Sequence, residues 1–268
     1  MSGTAACRDG RQLITLLQIT LSGGERQMRT VGLLGGMSWQ STQIYYKLIN
    51  EDVQARKGGL HSAPLLIKSF DFAEIERLQA SGQWSDAGRL LEEQAAALQA
   101  AGAEAIALAT NTMHKLADYI IFAVTVPFLH IADATAEAIL ASPSRQPLLL
   151  ATAFTMEQDF YTAPLDEFLA SAGGRVHIPE TQHRHIVHQV IYEELCKGVI
   201  DSDSRTAYLQ IIRDESKTKG CDGVILGCTE IGLLISQKDT DLPVFDTTAL
   251  HCTQITNFIC AGDRSAQK

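Results

Sequence analysis

The chain contains two pairs of similar segments, and this repetition constrains its fold more than any other feature. The segment AGAEAIALATNTMHKL (101–116) aligns with KGCDGVILGCTEIGLL (219–234), which lies 118 positions later. A second pair, TVGLLGGMSWQSTQIYY (30–46) and PLLLATAFTMEQDFY (147–161), repeats with an offset of 117. Two pairs at nearly the same offset predict two similar units in succession.

The order of apolar runs and helical patterns predicts the fold class. Short apolar runs alternate with helical stretches, which is typical of βα units and parallel sheets. We predict an α/β fold of two pseudo-symmetric parallel-sheet domains, 28–127 and 128–245, with the active site in the cleft between them. Residues 246–268 are expected to form a tail that packs back on the first domain. Residues 1–27 are expected to be a disordered extension or the product of a start site placed too early.

The predicted elements follow from the same patterns. Strands are expected at 31–35, 63–70, 105–110, 127–131, 147–152, 174–178, 223–228 and 243–247. Helices are expected at 41–56, 85–101, 132–141, 182–197 and 204–219.

Charge and cysteine usage narrow the class of protein. A net charge of -9 and a pI near 5.3 argue against a nucleic-acid or anionic-membrane surface, although a small acidic substrate stays compatible. No apolar run reaches the ~18–20 residues of a membrane span. The 6 cysteines form no CxxC pair, which favours free thiols in a reducing cytosol. We therefore expect a soluble, cytoplasmic protein.

Cys228 ends a predicted buried strand in GVILGCTEIG (223–232). At the start of a helix, backbone N–H groups and the helix dipole would lower the pKa of this thiol and favour the thiolate. Thr229 and Glu230 follow as polar groups that could contact a ligand. The alternative is that Cys228 is a small apolar core residue, as many free cysteines are.

Thr110 occupies the matching position in ATNTMHKL (109–116). Because ligands bind at the carboxyl ends of parallel strands, the duplication predicts that Thr110 and its counterpart Cys228 approach one ligand from opposite sides. Asn111 and Thr112 offer donors suited to a carboxylate, or they cap the helix. His114 either assists proton transfer or is simply hydrogen-bonded inside the structure.

Two further patterns resemble ligand sites but do not predict one. LLGGMSWQST (33–42) lacks GxGxxG spacing and a Walker lysine, so it is expected to form a sharp glycine turn before a helix that begins near Ser38. A metal site is not expected at the following histidines, because their helical spacing does not place them on one face: His183, His185 and His188.

Several motifs together resemble those of the aspartate/glutamate racemase family. They are GLLGGMSWQST, NTMH, FTMEQDFY, IYEELCKG and GVILGCTEI. From Met28 to about residue 258 the chain is similar to the enterobacterial L-aspartate/glutamate-specific, or broad-specificity, amino-acid racemases. The resemblance implies two pseudo-symmetric α/β domains around one active site, no cofactor, a small amino-acid substrate and a homodimer.

The resemblance also implies a mechanism. Two facing cysteines of the family exchange protons with the α-carbon from opposite faces. Here Cys228 would act on the L face of aspartate or glutamate, whereas Thr110 replaces the usual first cysteine and makes the two faces unequal. The positions that match substrate contacts, or flank the thiol, are Met37, Gln79, Asn111, Thr112, Met113, Thr229 and Glu230.

Two alternatives remain open at this stage. A single thiol is what an arylmalonate-decarboxylase-like enzyme needs, because such an enzyme protonates a planar intermediate from one side. A protein that has lost turnover with its first cysteine could instead be a non-catalytic amino-acid binder.

Overall fold

The structure, a computed structural model, describes residues 28–261 of the 268-residue chain. The strands are β1 (Val31–Gly35), β2 (Leu65–Ser69), β3 (Ala105–Leu108), β4 (Phe128–Leu129), β5 (Pro147–Leu150), β6 (Gly223–Leu226) and β7 (Val244–Asp246). The α-helices are α1 (Trp39–Lys57), α2 (Phe72–Ala80), α3 (Trp84–Ala100), α4 (Ala117–Ala123), α5 (Ile131–Leu140), α6 (Ala153–Glu157), α7 (Asp159–Ala170), α8 (Thr181–Glu193), α9 (Ser202–Lys219), α10 (Ile231–Leu234) and α11 (Thr247–Cys260). The predicted N-terminal extension, 1–27, lies outside the described residues.

The strands form two parallel sheets with matching topology, which confirms the predicted fold class. The first sheet has the order β2-β1-β3-β4 and the second has the order β5-β6-β7. His177 makes a single parallel bridge to Leu148 in β5, on the side where β2 pairs with β1 in the first sheet. Ile106 pairs with Gly32, and its sequence counterpart Val224 pairs with Leu148. The strand pairing therefore reproduces the sequence repeat within one residue.

The first sheet extends beyond the domain boundary predicted at residue 127. Phe128 and Leu129 form β4, which pairs with Ile106 and Ala107 of β3. The change from one sheet to the other therefore falls in the helix that follows, α5.

The last helix of each half packs on the other half. Ile131 and Ile139 of α5, which follows β4, lie in the core cluster of the second sheet. Ile255 and Ile259 of α11, which follows β7, lie in the core cluster that includes Val31 of β1. This reciprocal packing joins the two sheets with buried apolar surface and holds the carboxyl ends of their strands around one space. None of the helices in residues 28–261 is long and apolar enough to cross a membrane.

Candidate active site

A small cavity lies at the carboxyl ends of the strands. Residues from both halves line it, namely Met37, Ser38, Phe72, Gln79, Thr110, Asn111, Thr112, Thr152, Ile191, Tyr192, Cys196, Gly227, Cys228, Thr229 and Glu230. Apart from Glu230, none of these lining residues is an acid, lysine, arginine or histidine.

The two positions singled out by the repeat meet in this cavity. Thr110 follows β3 and Cys228 follows β6, each two residues beyond the last strand residue. Thr110 is 8% exposed and Cys228 is half-buried, and both side chains belong to residues that line the cavity. Neither is sealed in the apolar core, so a small ligand can reach both.

The carboxylate of Glu230 connects the two walls of the cavity. Its Oε1 accepts hydrogen bonds from Ser38 Oγ at 2.9 Å and from Ser41 Oγ at 2.8 Å. Its Oε2 accepts from Cys228 Sγ at 3.1 Å and from Thr229 Oγ1 at 2.9 Å. Glu230 is 4% exposed, so these four neutral donors replace most of the water that a carboxylate normally binds.

The opposite wall repeats this arrangement without the charge. Thr112, the sequence counterpart of Glu230, lies 3.3 Å from Thr152 Oγ1 and 3.3 Å from Thr155 Oγ1. Thr152 caps α6 and Thr155 follows three residues later, the same spacing as the two serines at the start of α1. The pseudo-symmetry therefore extends to side chains, but only the Cys228 side carries an anion.

A glycine turn presents the serines to the cavity. Gly36 has a φ of +87°, and a Cβ at this position would lie 2.4 Å from the backbone N and O of Phe70. Ser38 then caps α1 by accepting a hydrogen bond from Ser41 N at 3.2 Å. The predicted sharp turn and helix start are confirmed, and they exist because only glycine fits the close approach to Phe70.

The predicted lowering of the Cys228 pKa is wrong. Burial, together with the negative charge of Glu230, raises the pKa of this thiol well above its usual value. The prediction assumed a helix dipole, but α10 has only 4 residues and begins three positions after the thiol. The resting group is a protonated thiol that donates to Glu230.

Seven lining residues were not predicted as site residues: Ser38, Phe72, Thr152, Ile191, Tyr192, Cys196 and Gly227. Cys196 is one of the cysteines for which the sequence predicted a free thiol but no role in the site. It follows α8 in a short 3₁₀ turn, Leu195–Lys197, which brings it to the cavity. Burial, followed by the charge of Glu230, raises the pKa of Cys196 to about 12. The IYEELCKG motif was the available signal, since Ile191, Tyr192 and Cys196 all lie within it.

The predicted substrate contacts lie at the cavity with one exception. Met37 and Gln79 line it, as do Asn111, Thr112, Thr229 and Glu230. Met113 does not, because it is fully buried in the first-half core, where its Sδ accepts a hydrogen bond from Gln79 Nε2 at 2.9 Å. Met113 can act on the cavity only by holding Gln79.

His114 lies behind the cavity wall and not on it. Its Nδ1 is 2.7 Å from the carbonyl oxygen of Thr110, and its Nε2 accepts from Ile131 N at 3.4 Å. Burial and two neighbouring histidines lower its pKa well below the usual value, so the ring is neutral and Nδ1–H donates to Thr110. Of the two interpretations of His114, the structure favours the hydrogen-bonded internal residue.

Two of the histidines of α8 have ordinary hydrogen-bond partners. His183 Nδ1 is 2.8 Å from Glu215 Oε1, and His188 Nδ1 accepts from Ala153 N at 3.3 Å. Within residues 28–261, no three metal-ligating side chains are grouped closely enough to hold an ion. The five cysteines of this range are free thiols: Cys196, Cys221, Cys228, Cys252 and Cys260.

Two matched parallel sheets with polar strand ends around one small cavity define an α/β protein with a candidate small-molecule site between its halves. The chain belongs to the Asp/Glu/hydantoin racemase family, whose sequence profile matches residues 34–255. The broad specificity amino-acid racemase RacX from Bacillus subtilis (strain 168) is 25% identical over 235 residues, which cover 82% of this chain and 93% of that protein.

Solved structures agree with this assignment. The crystal structure of an Asp/Glu racemase candidate from Yersinia pestis is 48% identical, with a TM-score of 0.80, and the match covers 87% of this chain and 99% of that chain. The structure of an aspartate racemase homologue from Pyrococcus horikoshii OT3 is 34% identical, with a TM-score of 0.75 and coverage of 87% and 99%.

Proposed function

We propose that this protein racemises α-amino acids without pyridoxal phosphate, using Cys228 and Thr110 as its acid and base groups. One observation carries the proposal: the side chains at the two equivalent strand ends belong to one cavity. Racemisation needs a proton acceptor on one face of the α-carbon and a proton donor on the other. A duplicated fold supplies such a donor and acceptor because its two equivalent strand ends place one side chain each at the same cavity.

The reaction with an L-amino acid starts at Cys228. As a thiolate, Cys228 takes the α-hydrogen as a proton, and the electron pair left on the α-carbon is delocalised into the substrate carboxylate. The Thr112 and Thr152 hydroxyls line the cavity as donors for that carboxylate, where negative charge develops. A proton delivered from the Thr110 side, by the hydroxyl or through a water, then gives the D enantiomer.

In this proposal, two groups of unequal acidity serve the two faces of the α-carbon. A hydroxyl is a much weaker acid than a thiol, and its conjugate base is harder to form near neutral pH. Proton removal from a D-amino acid would have to be done by Thr110, whereas proton removal from an L-amino acid is done by Cys228. Because the two enantiomers have equal free energy, kcat/KM for racemisation is the same in both directions. We therefore expect the inequality in α-hydrogen exchange, which should be faster with L substrates than with D substrates.

Aspartate and glutamate are the substrates that the family resemblance implies, and we propose them as the first to test. The lining also includes the uncharged side chains of Phe72, Ile191 and Tyr192, which suit the non-polar part of a substrate. Similarity to a broad specificity amino-acid racemase supports extending the assay to L-amino acids with uncharged side chains. We also propose a homodimer and a cytoplasmic location, and light scattering after size exclusion tests the former.

Chiral chromatography of incubations with L-amino acids tests the proposal. Wild-type protein is expected to form the D enantiomer, and Cys228→Ala is expected to lose this activity. Cys221→Ala is the matched control, because Cys221 is also a buried thiol but does not line the cavity. Carbon dioxide release from an arylmalonate, without racemisation, would favour a decarboxylase. Stabilisation by amino acids without any turnover would favour a binding protein.

A further inference from the structure

Glu230 is a buried carboxylate that has no cationic partner in the part of the chain that the structure describes. It takes part in none of the ion pairs found among residues 28–261. All four of its hydrogen-bond donors are neutral, namely three hydroxyls and one thiol. Burying a charge is costly unless it is paired, so an anion kept at a cavity wall in this way is suited to a cationic ligand.

Asn111 provides a second acceptor in the same cavity. Its Nδ2 donates to Thr247 Oγ1 at 3.2 Å, and the Thr247 hydroxyl in turn donates to the carbonyl oxygen of Leu226 at 2.8 Å. Because the Thr247 proton is committed to Leu226, the Asn111 amide must present nitrogen to Thr247 and keep its oxygen free. That oxygen, Oδ1, is buried and has no partner among the described residues, and Asn111 is 4% exposed.

We propose that Glu230 and Asn111 Oδ1 bind the α-ammonium group of the substrate. This inference rests on the proposed racemase function, which it deepens by assigning the part of the substrate that each wall receives. An ammonium group has three donors and one positive charge, and it would meet a carboxylate from the second half and an unpaired carbonyl oxygen from the first half. The hydroxyls around Thr112 then remain for the carboxylate.

Binding an ammonium group here also changes the state of Cys228. The titratable groups that face this thiol are Glu230, Cys196, Tyr192 and Tyr208. Of these, Glu230 is the nearest, since it accepts the thiol hydrogen bond. A bound ammonium group offsets the charge of Glu230 and competes with the thiol for Oε2, so the pKa of Cys228 falls.

The proton balance of this step is simple. The thiol releases its proton to water at the cavity mouth, and the resulting thiolate takes the α-hydrogen of the substrate as a proton. No oxidant or cofactor is involved. The base is therefore formed only when an amine-bearing ligand occupies the cavity, which excludes α-hydroxy acids and plain dicarboxylates as substrates even when their carboxylates fit.

Two unreactive ligands test the inference in the intact protein. α-Methylaspartate and citramalate have the same carbon skeleton and both carboxylates, both lack an α-hydrogen, and they differ only in an ammonium or a hydroxyl group. Near neutral pH, α-methylaspartate is expected to increase the far-ultraviolet thiolate absorbance of wild-type protein, and citramalate is not. Cys228→Ser is expected to remove the response, which assigns it to this thiol among the others.

Glu230→Gln provides a second test, because it should change both the pKa of Cys228 in the free protein and the response of this thiol to the ligand. Removal of the carboxylate is expected to lower the pKa of Cys228 in the free protein, so the thiolate appears at lower pH, while α-methylaspartate no longer causes a further increase. The kcat/KM for L-amino acids is expected to fall about 10- to 100-fold, the scale of a charge-assisted hydrogen bond. Glu157→Gln is the control, because Glu157 is an exposed partner of Arg184 outside the cavity.

Three results would overturn the inference. They are an equal thiolate response to both ligands, a response that persists in Glu230→Gln, and no response to α-methylaspartate in a protein that exchanges the α-hydrogen of aspartate. In the last case the racemase proposal would stand, because exchange reports turnover independently of where the ammonium group binds. Absence of exchange with every L-amino acid would instead remove the racemase proposal itself.

Discussion

Replacing Thr110 by cysteine is expected to convert a one-sided site into a two-sided one. The substitution exchanges an oxygen for a sulfur at the strand end that faces Cys228 across the cavity, and it removes only one methyl group. Thr110 is 8% exposed and lines the cavity, so the new thiol would reach the ligand that the hydroxyl reaches now. The variant should remove the α-proton of D-amino acids far faster than wild type does.

The size of the effect follows from acidity and surroundings. A hydroxyl in water ionises only at a pKa far above that of a thiol, which is about 8.5, and this gap in acidity favours cysteine at position 110. Burial would raise the pKa of the new thiol and consume part of this gap. However, the counterpart of Glu230 on this wall is the uncharged Thr112. The pKa of a thiol at position 110 would therefore be raised less than the pKa of Cys228. A well-placed acid or base contributes about 10²- to 10⁴-fold, and we expect at least about 100-fold.

Deuterium incorporation at the α-carbon, followed by proton NMR in heavy water, measures this effect. The assay starts from D-aspartate and D-glutamate and compares wild type with Thr110→Cys. Thr256→Cys is the matched control, because it makes the same exchange at a buried threonine that does not line the cavity. If Thr110→Cys folds with unchanged thermal stability yet exchanges D substrates no faster than wild type, the reasoning is refuted.

Three further predictions concern the framework of the site. Gly36→Ala should destabilise the fold by about 2–4 kcal/mol in urea unfolding and reduce activity, because its Cβ would overlap the backbone of Phe70. Gly58→Ala is the control, because Gly58 also has a positive φ but its added Cβ would contact no other atom, so it measures only the cost of the backbone conformation. His114→Leu should cost about 2–3 kcal/mol in the same assay, because it leaves the Thr110 carbonyl oxygen without its buried donor. Burial lowers the pKa of His251 to about 4. The contribution of His251 to the free energy of unfolding is therefore present above about pH 6.5, and roughly 3 kcal/mol is lost as the pH falls towards 4. The free energy of unfolding should depend less on pH in a His251→Gln variant.

The sequence repeat was sufficient to predict the two parallel sheets and the equivalent strand ends after which Thr110 and Cys228 lie. Alternating apolar runs specify parallel strands, and a near-constant offset specifies that equivalent strand ends face one another. The same offset pairs Thr110 with Cys228, and both residues line one cavity. Helices α2, α4, α6, α7 and α11 were not predicted, and α7 carries Pro164 within it, which weakens the helical pattern.

The chemistry of the site depended on contacts that the repeat does not encode. Glu230 lies only two residues after Cys228, yet its effect on the thiol depends on the side chain folding back towards the sulfur and meeting the serines of the other half. Cys196 is distant in sequence, and only the packing of α8 brings it to the cavity. Met113 follows two lining residues, but the 3₁₀ turn Thr112–Leu116 directs it into the core.

The central claim is that Cys228 and Thr110 serve opposite faces of one α-carbon. The most direct test is the initial rate of α-deuterium incorporation by wild-type protein, measured separately for the L and D enantiomers of each accepted amino acid. We predict rapid incorporation into the L enantiomer, much slower incorporation into the D enantiomer, and loss of the L reaction in Cys228→Ala. Equal rates for the two enantiomers, or an L rate that survives in Cys228→Ala, would contradict the account.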